Sequence, residues 1–216
     1  MTSLTATRGT LAAALWPVAG EGAQGRRALR YLVLALCGSL FVAVAAQIQV
    51  PLWPVPITGQ TFAVLIVGMV FGARLGGATL LLYLAEGAAG IPVFAKLSGG
   101  PAVIAGPTGG YIIGFVLAAG LVGYLAERGW DRSVVWTALA MLIGNVVIYM
   151  PGVPWLAMFY AGPGAAYVAA TGAETAFGAA INAGVVPFIL GDALKLALAA
   201  ALLPLAWKVL GRGGRR

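Results

Sequence analysis

Long apolar stretches separated by short polar or proline-rich loops dominate the pattern of hydrophobic and polar positions. A helix needs about 20 consecutive apolar residues to cross a bilayer. Four stretches, at about 31–50, 108–126, 133–150 and 187–209, are close to that length. They predict four membrane-spanning helices, and the last begins at a proline, which suits the first turn of a helix.

A fifth stretch, residues 57–85, is either one long helix or two short ones that turn at 72–77. The excess of Lys and Arg in cytoplasmic loops decides between them. One long helix divides the basic residues five inside and six outside. Two helices leave only Lys96 in an outer loop, with Lys195 in the last span, and put eleven inside: Arg8, Arg26, Arg27, Arg30, Arg74, Arg128, Arg132, Lys208, Arg212, Arg215 and Arg216. We therefore predict an all-α integral membrane protein with six transmembrane helices and both termini cytoplasmic, the second helix covering only 57–73.

The remaining segments predict tails and one long loop. Residues 1–30 are mixed and weakly basic, which indicates a cytoplasmic tail that could include a surface-lying segment. The apolar run at 11–18 is too short for a signal-peptide core and has only Arg8 before it. Residues 31–210 form the transmembrane domain, and 211–216 form a basic cytoplasmic tail. Residues 151–180, rich in Gly, Ala, Pro and aromatics, predict a long, partly helical loop packed on the protein.

Composition agrees with a membrane domain and excludes much chemistry. Charged residues make up 9% of the 216, against about 25% in soluble domains, and the mean hydropathy is +0.97. There is no His, one Cys (Cys37) and two Asp, of which Asp131 lies in the charged loop 127–132. His bases, metal sites with His ligands, an intrachain disulfide and a P-loop are therefore excluded. The net charge of +7 is explained by orientation and by anionic lipid, without nucleic acid. We expect no enzyme and no cofactor.

The sharpest polar feature is a pair of opposite charges, Asp192 and Lys195, within the last apolar helix. At i and i+3 they project from one face, and each costs about 2.5–3.5 kcal/mol at the centre of a membrane helix. The pair either neutralises itself as a structural element or anchors a solute. Counted from Pro187, it lies about 7–12 Å into the helix. That depth is in the outer half of the membrane and favours uptake from outside.

Two loop motifs supply further candidates for a solute site. Residues 106–111 (GPTGGY), with Gly109 and Tyr111, open the fourth helix. They either offer bare backbone N–H groups to an anion or only mark the start of a helix. Residues 54–61 (PVPITGQT), with Thr58, mix prolines with hydroxyl and amide groups. They form either a lid over a pocket or a rigid cap.

Side chains elsewhere are open to two interpretations each. Trp155, with Phe159 and Tyr160, either walls an apolar solute or belongs to an interfacial aromatic belt. Asn145 either reaches the solute or forms a hydrogen bond between helices. Glu86 either lies near the site or extends toward the outer headgroups.

Small residues recur every four positions on two helices. One stripe is Ala35, Ser39 and Ala43, and the other is Gly68, Gly72 and Gly76. Such stripes allow close approach between helices. Each serves either packing within this chain or docking of another membrane protein.

Three segments together resemble the BioY family, the substrate-binding S components of energy-coupling-factor (ECF) vitamin transporters for biotin. They are residues 54–61, residues 90–94 (GIPVF) leading to 106–111, and residues 187–195 (PFILGDALK). Each segment is weak evidence by itself, but three in order are specific. The resemblance spans about 31–210, and Glu86 departs from the apolar residue expected before Gly87.

The resemblance implies a biotin-binding protein of the inner (cytoplasmic) membrane that opens outward. Its partners would be a transmembrane coupling subunit and two cytoplasmic ATPases, although some members look able to work without a dedicated coupling subunit. Asp192 and Lys195 carry over as ligand contacts, and the stripe of Ala35, Ser39 and Ala43 becomes the docking face for the coupling subunit. The alternatives are a structural membrane protein held together by the Asp192–Lys195 pair, or an S component for another small vitamin.

The chemistry of biotin suits these residues. Lys195 would donate to the ureido carbonyl while Asp192 accepts from a ureido N–H. The carboxylate would then face the Gly109 helix start or the outer loops. The reverse pose, with the carboxylate on Lys195, remains open.

Overall fold

The structure, a computed structural model, describes residues 9–17 and 23–213, and almost all of its ordered elements are helices. The predicted cytoplasmic positions of Arg8, Arg215 and Arg216 lie outside the described residues. The elements are α1 Leu11–Leu15, α2 Ala23–Gln47, β1 Gln49–Val50, β2 Ile57–Thr58, α3 Gln60–Phe71, α4 Ala73–Ala88, α5 Pro101–Ala105, α6 Gly109–Glu127, α7 Val134–Ala161, α8 Ala165–Thr171, α9 Ala176–Gly184 and α10 Ile189–Gly213.

Four described segments are long and apolar enough to cross a membrane: Gln24–Gln47, Gly109–Glu127, Val134–Ala161 and Ala176–Leu210. Each overlaps one of the four long stretches predicted from the sequence, and together they make the chain a multi-pass membrane protein. Two further helices are shorter, with 12 residues in α3 and 16 in α4. Together α3 and α4 occupy the stretch that the sequence left ambiguous.

That stretch is two helices, and the break lies at Gly72. Gly72 has φ +86°, a backbone conformation that residues other than glycine rarely adopt. It ends α3, and the free N–H of Ala73 at the start of α4 donates to the carboxylate of Glu127 at 2.9 Å. A helix start with unsatisfied N–H groups is stabilised by such an acceptor. The turn therefore depends on the end of α6 as well as on its own residues.

The glycine stripe serves packing within the chain. A Cβ atom at Gly68 would lie 2.5 Å from the carbonyl oxygen of Ala119, and one at Gly123 would lie 2.4 Å from the backbone of Gly72. Only glycine allows α3, α4 and α6 to approach this closely. The stripe continues across the turn, where Gly76 faces the α-carbon of Gly68.

The stripe on α2 also faces inward. Ser39 is only 1% exposed, and its hydroxyl donates to the carboxylate of Glu86 on α4. Ala35 and Ala43 are half-buried. A docking role needs exposed side chains, so the implied role of Ser39 is wrong. Packing on α4 is its function in the fold, and Glu86 pairs with it.

Several boundaries differ from the prediction. Helix α2 begins at Ala23, inside the predicted tail, and residues 49–50 pair with 57–58 as a short antiparallel hairpin. Helix α7 continues through Pro151 and Pro154 to Ala161 instead of ending at 150. Proline removes a backbone hydrogen bond from a helix. The helix nevertheless continues where it packs closely against α6: a Cβ at Gly110 would meet the carbonyl of Pro151 at 2.5 Å.

A buried polar group lies at the end of the bundle where α6 and α10 both end. Asp131, in the charged loop 127–132, is fully buried. It accepts a hydrogen bond from Trp207 Nε1 on α10, and the Arg132 guanidinium lies 4.2 Å from the centre of the Trp207 ring. Arg132 also donates to the Gly9 carbonyl at 3.4 Å. Helix α1, with Leu11 buried, is thereby attached to this end.

Candidate solute-binding site

A cavity of about 230 Å³ opens at the other end of the bundle. It lies where α3, α6 and α10 begin, under the loops that follow α2 and α4. Its wall is largely apolar, with a few polar side chains, the usual character of a small-molecule site. The apolar lining includes Val55, Phe94, Ile112, Phe115, Ile148 and Phe188, and the polar lining includes Thr58, Gln60, Thr61, Lys96, Tyr111, Tyr149 and Lys195.

The Asp192–Lys195 pair lies at this wall within a network of four side chains. Lys195 Nζ is 3.3 Å from Asp192 Oδ1 and donates to Thr61 Oγ1 at 2.8 Å. The Thr61 hydroxyl in turn donates to Asp192 at 3.5 Å, and the Tyr149 hydroxyl donates to the other Asp192 oxygen. Asp192 is 7% exposed. The carboxylate is thus held from three sides, while Lys195 reaches the cavity.

A second network holds the start of α3. Thr58 Oγ1 accepts from the Gln60 N–H at 3.2 Å and donates to Gln60 Oε1 at 3.0 Å. Gln60 Nε2 donates to the Tyr83 hydroxyl at 2.8 Å, which donates to the Val93 carbonyl at 2.9 Å. This chain joins α3, α4 and the loop after α4. It fixes the segment from which Thr61 extends toward Lys195.

Residues 94–98 form a tight loop at the cavity. Phe94 N–H donates to the Ser98 carbonyl at 3.0 Å. The amide of Gln47, the last residue of α2, donates to the Phe94 carbonyl at 3.0 Å and accepts from the Leu97 N–H at 3.0 Å. Lys96 stands between these contacts and lines the cavity.

The structure brings four of the seven predicted site residues together. Lys195, Tyr111 and Thr58 line the cavity, and Asp192 lies against Lys195. Tyr111 also donates to the Gly184 carbonyl at 3.1 Å, which ties α6 to α9. Asn145 is buried on α7 and does not line the cavity.

Gly109 and Trp155 do not line the cavity, but they support a segment that does. The Gly109 N–H donates to the Gly106 carbonyl at 3.3 Å, so the predicted bare N–H for an anion is wrong at this residue. Trp155 lies on α7, not in a loop, and its Nε1 donates to the same carbonyl at 2.9 Å. A Cβ at Gly110 would lie 2.4 Å from Trp155 Cβ. The two glycines therefore make room for the indole.

A sequence model of the BioY family matches residues 21–212 of this chain. The chain belongs to the BioY family. A probable biotin transporter BioY from Pyrococcus horikoshii is 44% identical over 164 residues, which cover 74% of this chain and 88% of that protein. The biotin transporter BioY from Thermotoga maritima is 36% identical, covering 81% of this chain and 94% of that protein.

The fold of the BioY chain also matches a solved structure. That crystal structure is of the S component for biotin from an ECF-type ABC transporter. The TM-score is 0.69 at 22% identity, and the match covers 88% of this chain and 95% of the other. Helix α1 lies before the part that the BioY family model matches.

Several residues that line the cavity of this BioY chain were not predicted as site residues from the sequence. Tyr149 lies one helical turn after Asn145 and shares its face of α7. That spacing could have indicated Tyr149 from the sequence. Thr61 and Gln60 stand within the motif at 54–61, from which only Thr58 was selected. Lys96 entered the prediction only as an outer charge.

Proposed function

We propose that this chain is the high-affinity biotin-binding component of an ECF-type transporter, and that it takes up biotin across the cytoplasmic membrane. It is a transport protein and not an enzyme. Membership of the BioY family supports biotin as the ligand. The observation that carries the proposal is the network of Asp192, Lys195, Thr61 and Tyr149 at the wall of a largely apolar cavity.

The chemistry of the network suits a cyclic urea. Biotin's ureido ring has one carbonyl acceptor flanked by two N–H donors. The Lys195 ammonium donates to the carbonyl, and the Asp192 carboxylate accepts from an N–H group. Hydrogen bonds to ionised groups are the stronger kind. A ligand without these groups would leave buried polar atoms unpaired, which is a strong basis for rejection. Tyr111 and Thr58 remain proposed contacts, whereas Asn145, Gly109 and Trp155 act indirectly.

The proposed topology has six transmembrane helices, α2, α3, α4, α6, α7 and α10, with both termini cytoplasmic. The transmembrane domain extends to about residue 210, between the two tails. Basic residues lie at the end of the bundle away from the cavity, which supports this orientation. They are Arg26, Arg27, Arg74, Arg128 and Lys208. The cavity then opens outward, and the short α3 and α4 meet at the cytoplasmic side.

Energy for uptake would come from partners, because the chain has no P-loop of its own. We propose a transmembrane coupling subunit and two cytoplasmic ATPases, with biotin released inward during their cycle. Docking on α2 would use the half-buried Ala35 and Ala43 together with the exposed Leu36 and Leu40 beside them. The buried Ser39 takes no direct part.

Binding of labelled biotin to the detergent-purified chain tests the proposal. Lys195→Ala and Asp192→Asn are expected to lose binding while keeping their elution profile and helical content. Lys208→Ala is the matched control, because Lys208 is an exposed lysine farther along the same helix. A folded wild type that binds no biotin would remove biotin as the ligand. Unchanged affinity in both site variants would remove the site assignment.

A further inference from the structure

Lys96 places a positive charge at the mouth of the cavity. Its side chain lines the cavity and is exposed to solvent. Among the residues that the structure describes, no acidic side chain forms an ion pair with it. Lys195, the other lysine of the cavity, is paired with Asp192 at 3.3 Å. The cavity therefore contains one compensated and one uncompensated positive charge.

The backbone at Lys96 is held in an uncommon conformation. Lys96 has φ 61° and ψ 31°, and Leu97 has φ 51°. Left-handed backbone is rare for residues other than Gly and Asn, and it persists where neighbouring contacts hold it. Here Gln47 bonds the loop on both sides of Lys96, through the Phe94 carbonyl and the Leu97 N–H. The position of the ammonium-bearing residue is thus built into the fold.

We infer that Lys96 binds the carboxylate of biotin, while the ureido ring lies at Asp192 and Lys195. This inference rests on the proposed function and assigns the two ends of its ligand. A carboxylate placed on Lys195 would also lie beside the Asp192 carboxylate, and like charges at short range repel. At Lys96 the carboxylate meets a positive charge with no competing acid. The pose in which the carboxylate binds Lys195 is therefore disfavoured.

A lysine that binds the ligand carboxylate can be distinguished by experiment from one that only contacts lipid headgroups. A lysine that contacts lipid would affect every ligand of the cavity equally. A lysine that binds the carboxylate affects only ligands that carry one. Comparing biotin with biotinamide, in which a neutral amide replaces the carboxylate, separates these two roles.

The experiment measures the affinity of the full chain for biotin and for biotinamide. The wild type is expected to prefer biotin by about tenfold, the effect of one charge-assisted hydrogen bond. Lys96→Asn removes the charge, and asparagine tolerates the left-handed backbone. Its preference is expected to fall to within about twofold, with biotinamide affinity unchanged. Lys96→Arg keeps the charge and is expected to keep most of the preference.

Other outcomes would overturn the inference. One such outcome is a Lys96→Asn variant that keeps the full preference for biotin over biotinamide. Another is loss of that preference in Lys195→Ala but not in Lys96→Asn, which would support the pose in which the carboxylate binds Lys195. If Lys96→Asn binds neither ligand, Lys96→Gly repeats the test, since glycine adopts this backbone freely. If Lys96→Asn and Lys96→Gly are both folded and lose affinity for biotin and biotinamide equally, Lys96 does not bind the carboxylate. A wild type that binds neither ligand is a distinct result, because then the proposed function fails as well.

Discussion

Tyr149 on α7 donates a hydrogen bond to the Asp192 carboxylate on α10, 43 residues farther along the chain. The contact places a neutral donor on the side of Asp192 away from the oxygen that faces Lys195. Asp192 then keeps one oxygen for the ammonium, and its orientation is fixed before a ligand arrives. Preorganisation of this kind raises affinity because less ordering remains for binding.

Tyr149→Phe is therefore expected to weaken biotin binding about three- to tenfold, the usual net value of one hydrogen bond, without unfolding the protein. Equilibrium binding of labelled biotin to the purified chain measures it. Tyr124→Phe is the matched control, because Tyr124 is an exposed tyrosine on α6, and it should bind like the wild type. Equal affinity in both variants would show that the Tyr149 hydroxyl does not orient Asp192.

The sequence predicted those parts of the site that depend on local spacing. Asp192 and Lys195 are three residues apart, and helical geometry alone puts them on one face. Thr61 is 134 residues from Lys195, and no local pattern indicates such a pairing. The same holds for Gln47 and the 94–98 loop, which lie 47 and 50 residues apart at their two hydrogen bonds.

The boundaries of the helices show the same limit. Arg74 and the positive-inside rule correctly favoured a turn in 57–85, because charge placement is read along the chain. The continuation of α7 through Pro151 was missed, since it depends on Gly110 and Gly114 of α6 letting the two helices approach closely. Propensity is local, and packing between distant segments overrides it.

Gln47→Leu is expected to release the 94–98 loop from the end of α2. Affinity for biotin should fall several-fold while affinity for biotinamide changes little, because Lys96 is then no longer held at the cavity. The ratio of the two affinities is the readout that a general loss of stability would not change. Gln24→Leu, at the exposed start of α2, is the control. A parallel fall in both affinities would assign Gln47 a purely structural role.

Gly72→Ala is expected to lower stability by about 1–3 kcal/mol, because alanine is strained in this backbone conformation. The new Cβ would also lie 2.5 Å from the Glu127 carboxylate and 2.8 Å from Thr10. Thermal unfolding in detergent checks the effect. Gly25→Ala is the matched control within α2, where the added Cβ meets open space. It should be neutral or stabilising by up to about 1 kcal/mol. Equal transitions in the two variants would contradict the structure at the α3–α4 turn.

Asp131 predicts a pH dependence of stability at the end of the bundle away from the cavity. Burial raises the pKa of Asp131 above its ordinary value, while the hydrogen bond from Trp207 and the charge of Arg132 oppose the rise. A folded-state pKa above the unfolded one means that the folded protein binds the proton more tightly. This contribution to stability is present below about pH 4, the unfolded carboxyl value, and is lost as the pH rises through the folded pKa. Stability of the wild type should therefore contain a component that decreases with rising pH in this range.

Asp131→Asn removes that component. The asparagine oxygen still accepts from Trp207 Nε1, and no buried charge forms. The variant is expected to equal or exceed the wild type in stability at neutral pH, and the difference between them should shrink as the pH falls toward 4. Unfolding transitions in detergent across this range measure it, with Asp192→Asn as a comparison at the other end of the bundle. A variant that is less stable than the wild type at pH 7, with a deficit that shrinks as the pH falls, would contradict the prediction, because it would show that Arg132 and Trp207 stabilise the charged form of Asp131.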